Sequence, residues 1–236
     1  MNDPDRPYPP LDTGVAEPGV AAPVDPWPLA GLALRTPRLE LCPDDDAGLR
    51  ELVDVAYQGI HPPEEMPFGQ PWTDADPRYL GRGVLQHHWG HRASLTPQDW
   101  TVQFLVRLGG RVIGVQSLMA VDFAVRREVC SGSWLGLRWQ GAGYGTEMRA
   151  AVLMFAFDHL GARAARSGAF TDNPTSLAVS RRLGYREDGI EIWARRGRLA
   201  EQIRLLLSAA GFAAHRPPWS LEVSGLPDCL GLLGAG

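Results

Sequence analysis

Gln140, Gly141, Gly143 and Gly145 fall within one short run, Trp139 to Glu147, and the chemistry this spacing offers is anion binding. The run follows the apolar segment Trp134 to Leu137. It opens a segment with helical spacing of apolar residues, Met148, Ala151, Val152 and Phe155. Gly141, Ala142, Gly143 and Gly145 lack bulk, so the backbone can turn tightly and come close to a ligand. Tyr144 and Thr146 would share the first helical turn, whose N–H groups have no partner within the helix. A helix start of this kind binds anions, and a pyrophosphate fits it.

The spacing excludes two commoner phosphate loops. The dinucleotide fingerprint would place its third Gly where Thr146 stands, and no ribose-binding acid follows at the right distance. A Walker loop would need a Gly-Lys-Ser/Thr ending, which is missing. Instead the run resembles the Gln/Arg-x-x-Gly-x-Gly/Ala motif of the GNAT (GCN5-related N-acetyltransferase) superfamily, read on Gln140, Gly143 and Gly145. A second stretch, Thr171 to Ser176 followed by Ser180 to Tyr185, resembles the superfamily's Asn-x-x-Ser, short helix, Gly-Phe/Tyr element. From the residues alone, Asp172 or Asn173 can cap a helix, with Pro174 in its first turn. Gly184 suits its end.

The resemblance covers about Leu29 to Val223. The opening Leu34 to Leu41 further resembles the branch that modifies ribosomal-protein amino termini. The resemblance implies an α/β mixed fold: a mostly antiparallel sheet with two splayed parallel central strands and helices on both faces. It implies an acyl-CoA co-substrate, acetyl-CoA or the carboxylated succinyl-CoA, and no metal. The pyrophosphate would lie on Gln140, Gly141, Ala142, Gly143, Tyr144, Gly145 and Thr146. The pantetheine arm would lie against the backbone near Trp134 and Leu135 and against Asn173. Ser176 would meet the leaving thiol as an acid. The reaction implied is attack of an amine on the thioester; the acceptor class stays open among protein amino termini, lysines and small amines. A non-catalytic acyl-CoA sensor or scaffold is the rival reading, because both motifs concern the cofactor.

Departures from the family pattern leave the base unassigned. Many members carry Tyr at the position of Ser180 and some carry Glu at the position of Gly168. The branch's proposed base falls on Arg195, which cannot accept a proton at neutral pH. A water could relay the proton to Asp122 or Glu128. Arg195 could instead fork onto the carboxylate of a succinyl group. Phe68 and Trp72, in a Pro-rich stretch, are candidates for the acceptor site. Each has a plainer alternative: Ser176 as a helix residue that caps or back-bonds, Asp122 as a strand end, Arg195 as a surface charge, and the two aromatics as loop packing. His87, His88 and His91 share a helix, but no carboxylate completes a metal constellation.

Composition permits this reading. The 236 residues suffice for one domain, 29–236, and a chain of this size buries roughly 70% of its unfolded surface. Residues 1–28 read as a disordered Pro-rich tail, and the last ~12 residues as a loose one. Cys42, Cys130 and Cys229 form no Cys-x-x-Cys pair, which argues against a disulfide framework and fits a reducing cytoplasm. A net charge of −4 speaks against nucleic acid as a partner. No apolar run is long enough for a membrane span, and no signal-peptide pattern opens the chain. A homo-oligomer is possible.

The elements that must position the motifs follow from periodicity. We expect a strand over 32–41, a helix from Asp44 to Tyr57, and a loop over 61–73. A second helix follows to Ser94. A hairpin of 100–108 and 112–121 turns at Gly109-Gly110. A strand 128–137 leads into the Gly run, then a helix 144–160 and a strand 164–170. The expected closing elements are strands at 189–195 and 219–223, with a helix at 199–210 between them.

Overall fold

The structure is a computed structural model that describes residues 25–236. The tail expected over 1–28 lies outside the described residues up to position 24. From Asp25 the chain is placed, and Trp27 packs partly buried against the core.

The expected first strand is two. β1 (Ala33–Arg35) and β2 (Leu39–Pro43) pair antiparallel. The turn at Thr36 to Arg38 closes with a Thr36 N–H bond to the Leu39 carbonyl. Helix α1 (Asp46–Tyr57) starts where Asp45 accepts from the Gly48 N–H at 2.7 Å, and it buries Leu49, Leu52, Val55 and Ala56. Asp76 caps α2 (Pro77–Ser94), with Pro77 at its start. Strands β3 (Asp99–Leu108) and β4 (Arg111–Val121) form the hairpin. Gly109 and Gly110 both hold positive φ there, 56° and 82°. A short α3 (Phe123–Arg126) leads to β5 (Glu128–Leu135). A turn at Leu137–Trp139 then feeds α4 (Tyr144–Met154), which continues as one wider turn over Phe155–His159. β6 (Ala164–Phe170) and α5 (Pro174–Arg182) follow.

After β7 (Arg186–Arg195) the chain departs from expectation. Residues 198–208 are strand β8, not a helix. Leu199 to Leu207 is rich in helix formers, yet Ala200, Leu205 and Leu207 are buried and the chain pairs with β6 on one side and β7 on the other. Tertiary pairing overrides intrinsic preference here. The missed signal is Arg196-Gly197, both at positive φ (49° and 70°), the conformation of a tight hairpin turn. The last expected strand shrinks to β9 (Glu222–Ser224), which pairs with β1, and α6 (Ala209–Ala213) precedes it.

Among the described residues nine strands form one sheet in the order β7-β8-β6-β5-β4-β3-β2-β1-β9, and β5–β6 is its parallel pair. Strand alternation divides the core. Phe104 and Leu118 turn toward α4, whose residues from Glu147 to Met154 are all buried. Leu105 and Val115 turn toward α1 and α2. The C-terminal residues are not loose: α7 (Leu226–Cys229) precedes a turn that buries Cys229 and Leu233 completely. The apolar spacing of Leu226, Cys229, Leu230 and Leu233 supplies the contact that holds this segment.

Leu233→Ala is expected to cost about 2–4 kcal/mol, the range for emptying a closed core position. Urea unfolding measures it, and a change under about 0.5 kcal/mol would fit a loose tail instead.

Candidate functional site

The Gly run sits between the end of β5 and the start of α4, as the apolar segment and the helical spacing require. Gly143 is the N-terminal cap of α4 at φ 84°, and Gly141 stands at φ 77°. A cap without a side chain leaves the Tyr144 and Gly145 amides for another acceptor, while the Thr146 and Glu147 N–H groups donate to the Gly143 carbonyl. Gln140 fastens the run rather than facing a ligand: its Nε2 donates to the Ile60 carbonyl at 2.7 Å and to the Leu135 carbonyl at 2.9 Å. Arg38, inside the Leu34 to Leu41 stretch but not among the candidate site residues, brings a cation to the run. Its Nη1 donates to the Ala142 carbonyl, and its guanidinium lies 4.6 Å from the centre of the Tyr144 ring. Glu147 holds it there at 2.6 Å. Glycine backbone, a helix N-terminus and a guanidinium make a donor set that fits a pyrophosphate.

Beside this cradle the sheet opens. β5 and β6 pair at Glu128–Ala164, Val129–Ala165 and Cys130–Arg166, and there the ladder stops. Their outer edges stay paired, β5 with β4 as far as Leu135 and β6 with β8 as far as Phe170. The opening is therefore a V between the C-terminal halves of two parallel strands. Gly136 donates to Ile113 of β4, whereas the Ser131 carbonyl accepts from Ser167 Oγ of β6 at 3.1 Å. By alternation the Ser133 and Leu135 backbone groups face the V, and those of Trp134 face β4. Of the expected pair, Leu135 turns its backbone to the opening beside Ser133, with its carbonyl engaged by Gln140, and Trp134 lends a side chain.

α5 lies at the far lip of the V. Asn173 Oδ1 accepts from the Ser176 N–H at 3.0 Å, so the Asn is the helix cap, as its type suggests. This cap engages the backbone of Ser176, not its hydroxyl. Ser180 is fully buried; its hydroxyl donates to the Ser176 carbonyl and accepts from Arg149 Nη1 at 2.9 Å.

A strap closes the open end on the α1–α2 side. The stretch from His61 to Asp74 carries a chain of rings, with Phe68 5.2 Å from Trp72 and Trp72 5.7 Å from Trp134. The two aromatics singled out from the sequence thus reach the strand beside the V. The other end of the strap is tied to the β7–β8 hairpin. Arg195 donates to the Met66 carbonyl, Arg196 forks onto Asp74, and Gly69 lies so close to Trp193 that a Cβ would come within 2.8 Å of its ring. A Cβ on Gly132, two residues before Trp134, would meet nothing within 4 Å, so the space above it is open.

Other candidates land elsewhere. Arg195 is no solvated charge. Its side chain is 12% exposed, stacks 4.2 Å from the centre of the Phe170 ring, and forks onto Asp172. Asp122 and Glu128 do not join the site. Asp122, exposed at φ 50°, ends β4 near the closed end of the V, and Glu128 at that end is held by Arg126 and Arg166. His88 bonds Asp44 at 2.7 Å, and His87, on the same helix, is pushed down to about 4 by burial and by its neighbours His91 and His88.

Comparison with known proteins agrees with this geometry. Residues 47–186 match the acetyltransferase (GNAT) domain family. The fold is similar to that of RimJ from Mycobacterium smegmatis in complex with a CoA disulfide: TM-score 0.62 at 17% identity, covering 86% of this chain and 95% of that one. It is similar to RimL, a ribosomal-protein alpha-N-acetyltransferase in complex with coenzyme A: TM-score 0.56 at 19% identity, over 73% and 95%. A GCN5-related N-acetyltransferase from Brucella melitensis gives a TM-score of 0.62 at 17% identity, over 78% and 81%.

Gly143→Glu tests the cradle. The side chain would be strained at positive φ, and its Cβ would stand 3.4 Å from Arg38 Nη2. We expect a stability loss of about 1 kcal/mol and at least a tenfold loss of acetyl-CoA affinity by calorimetry. Retained affinity would place the pyrophosphate elsewhere.

Proposed function

Because the chain belongs to the GNAT acetyltransferase family and is an enzyme of the N-acetyltransferase type, we propose that it transfers an acetyl group from acetyl-CoA to a primary amine by direct attack on the thioester. The observation that carries this reading is the break in the β5–β6 ladder after Cys130–Arg166, on the strand that leads into the glycine cradle at the start of α4. Acetyl-CoA, when bound, supplies an activated acyl carbon and a thiol leaving group. The amides from Gly141 to Gly145 hold its pyrophosphate, with the Glu147-paired Arg38 beside them as a neighbouring positive charge. Ser133 and Leu135 offer backbone groups along the V, in the manner of a strand accepting an added strand. Asn173 borders the arm from α5, and the Ser176 hydroxyl donates a hydrogen bond, not a proton, to the departing sulfur.

The acceptor enters over Gly132, between the strap and the sheet. Phe68, Trp72 and Trp134 wall this approach, and aromatic faces attract an ammonium as it arrives. Holding amine and acyl carbon together supplies most of the rate, since orientation can lower a barrier by roughly 7–11 kcal/mol. The open half of β5 bears no acid: Glu128, the one carboxylate of that strand, is at the closed end. The amine's proton therefore passes to water. A protein amino terminus, the acceptor class named for the RimL structure, is the first to test. The free thiols of Cys42, Cys130 and Cys229 suit a cytoplasmic setting.

Acetyl is the donor we favour over succinyl. A receptor for a succinyl carboxylate would need a free fork, and the Arg195 fork already holds Asp172. With a panel of amines and amino-terminal peptides, we expect thiol release from acetyl-CoA at least about tenfold faster than from succinyl-CoA. Arg195→Ala should leave that ratio unchanged. A native preference for succinyl-CoA that the substitution abolishes would reverse the donor assignment. Release no faster than hydrolysis with every amine would favour an acyl-CoA sensor.

Ser176→Ala separates donor from cap. We expect kcat to fall about 10²-fold with acetyl-CoA affinity nearly intact. Equal loss in both would return Ser176 to a structural part of α5.

A further inference from the structure

α4 carries a positive charge into the core, and no counter-charge meets it there. Arg149 is 5% exposed. Its Nη1 donates to Ser180 Oγ at 2.9 Å, its Nη2 donates to Ser133 Oγ at 3.2 Å, and its Nε is buried without a partner. Both acceptors are neutral hydroxyls, and among the described residues no carboxylate forms an ion pair with it. The titratable groups that face it are Tyr185 and, on β5, Cys130; burial pushes both of them up, so both are neutral near pH 7. Burial in turn pushes Arg149 down from its ordinary value.

A buried cation without an anion costs several kcal/mol, so a residue needed only for packing would not be charged. A Met or Gln could fill the volume. The charge thus implies an anion that is present during the working cycle and absent from the resting fold. The position narrows which anion. Ser133 lies beyond the last β5–β6 pair, Cys130–Arg166, and Ser180 sits on α5, which follows β6. The guanidinium therefore bridges the two lips of the V from the α4 side. It is well inside the helix, away from the cradle at Gly143.

We propose that Arg149 stabilises the thiolate that leaves when the acetyl group is transferred. The inference rests on the acetyl-CoA reading above. The amine lone pair forms the C–N bond, the C–S bond breaks, and its electron pair stays on sulfur as a thiolate. The proton on the new nitrogen goes to water, and the thiolate later takes one back. The transfer thus creates one negative charge within a water-poor V. A fixed guanidinium meets that charge without having to reorganise, and donors placed in this way contribute about 10²–10³ in kcat.

Binding tests this without turnover. CoA and desulfo-CoA, which has no sulfur, are titrated calorimetrically from about pH 6.5 to about pH 9 against the native protein, Arg149→Met and Arg149→Lys. For native protein, CoA affinity should rise with pH, by up to about tenfold per unit between the bound and free thiol pKa values, while desulfo-CoA stays flat. In Arg149→Met the CoA profile should flatten, with desulfo-CoA affinity within about twofold of native; Arg149→Lys should keep a rise. A native CoA profile as flat as that of desulfo-CoA overturns the proposal, and this result needs no variant to fold. Equal loss of both ligands in Arg149→Met also overturns it, because the residue would then be structural. So would an unchanged CoA profile in Arg149→Met with an altered preference between acetyl-CoA and succinyl-CoA, which would assign the cation to an acyl carboxylate. Failure of native protein to bind either ligand would instead defeat the acetyl-CoA reading itself.

Discussion

The ladder between β5 and β6 ends at Cys130–Arg166, and the site depends on that interruption. Two parallel strands that part leave backbone groups in an apolar interior, where an unmet N–H or carbonyl is costly. The fold meets part of this demand with side chains. Ser167 reaches the Ser131 carbonyl, and Gln140 reaches that of Leu135. The splay persists because the outer edges of both strands are fully laddered and α4 packs beneath them with eight successive buried residues, Glu147 to Met154. The opening is thus a rigid feature of the sheet, and a ligand that adds a strand to it completes the pairing.

The open end is then closed by contacts distant in sequence. Arg195 and Arg196 sit at one hairpin tip, and each ties the strap or its surroundings: Arg195 through Met66 and Asp172, Arg196 through Pro63 and Asp74. Exposed ion pairs contribute little each. These are forked, and Arg195 is largely covered by the Phe170 ring. They fix where Phe68 and Trp72 stand relative to Trp134, which sets the shape of the proposed acceptor approach.

The parts legible in the sequence are those that local rules govern. Gly143 as cap, Asn173 as cap, the Gly109-Gly110 hairpin and the strand–loop–helix order around the cradle each follow from a few adjacent residues. Residues 198–208 misled because their helix-forming composition outweighed an alternation visible only in Ala200, Leu205 and Leu207; pairing on both edges then decided the matter. Arg38, Ser133 and Arg149 stayed invisible for a different reason. An arginine in a turn and one within a helix look like surface charges, and only the three-dimensional register shows that one meets the cradle and the other is buried. Arg195 was picked for its position, but its partner Asp172 came from another element and changed its meaning.

These residues share an electrostatic logic along α4. The helix start carries partial positive charge from its free amides. Arg38 adds a full charge beside it, offset by Glu147 on the same helix. Farther along, Arg149 adds a second full charge with no offset. An acyl-CoA has two places where negative charge matters, the pyrophosphate at all times and the sulfur only after transfer. In the proposed binding mode the compensated cation lies where charge is permanent, at a half-exposed surface where water shares the work. The uncompensated one, itself buried, lies where the proposal puts the transient charge. A carboxylate beside Arg149 would stabilise the resting fold but would oppose the thiolate, so its absence is what differential stabilisation of the later state requires.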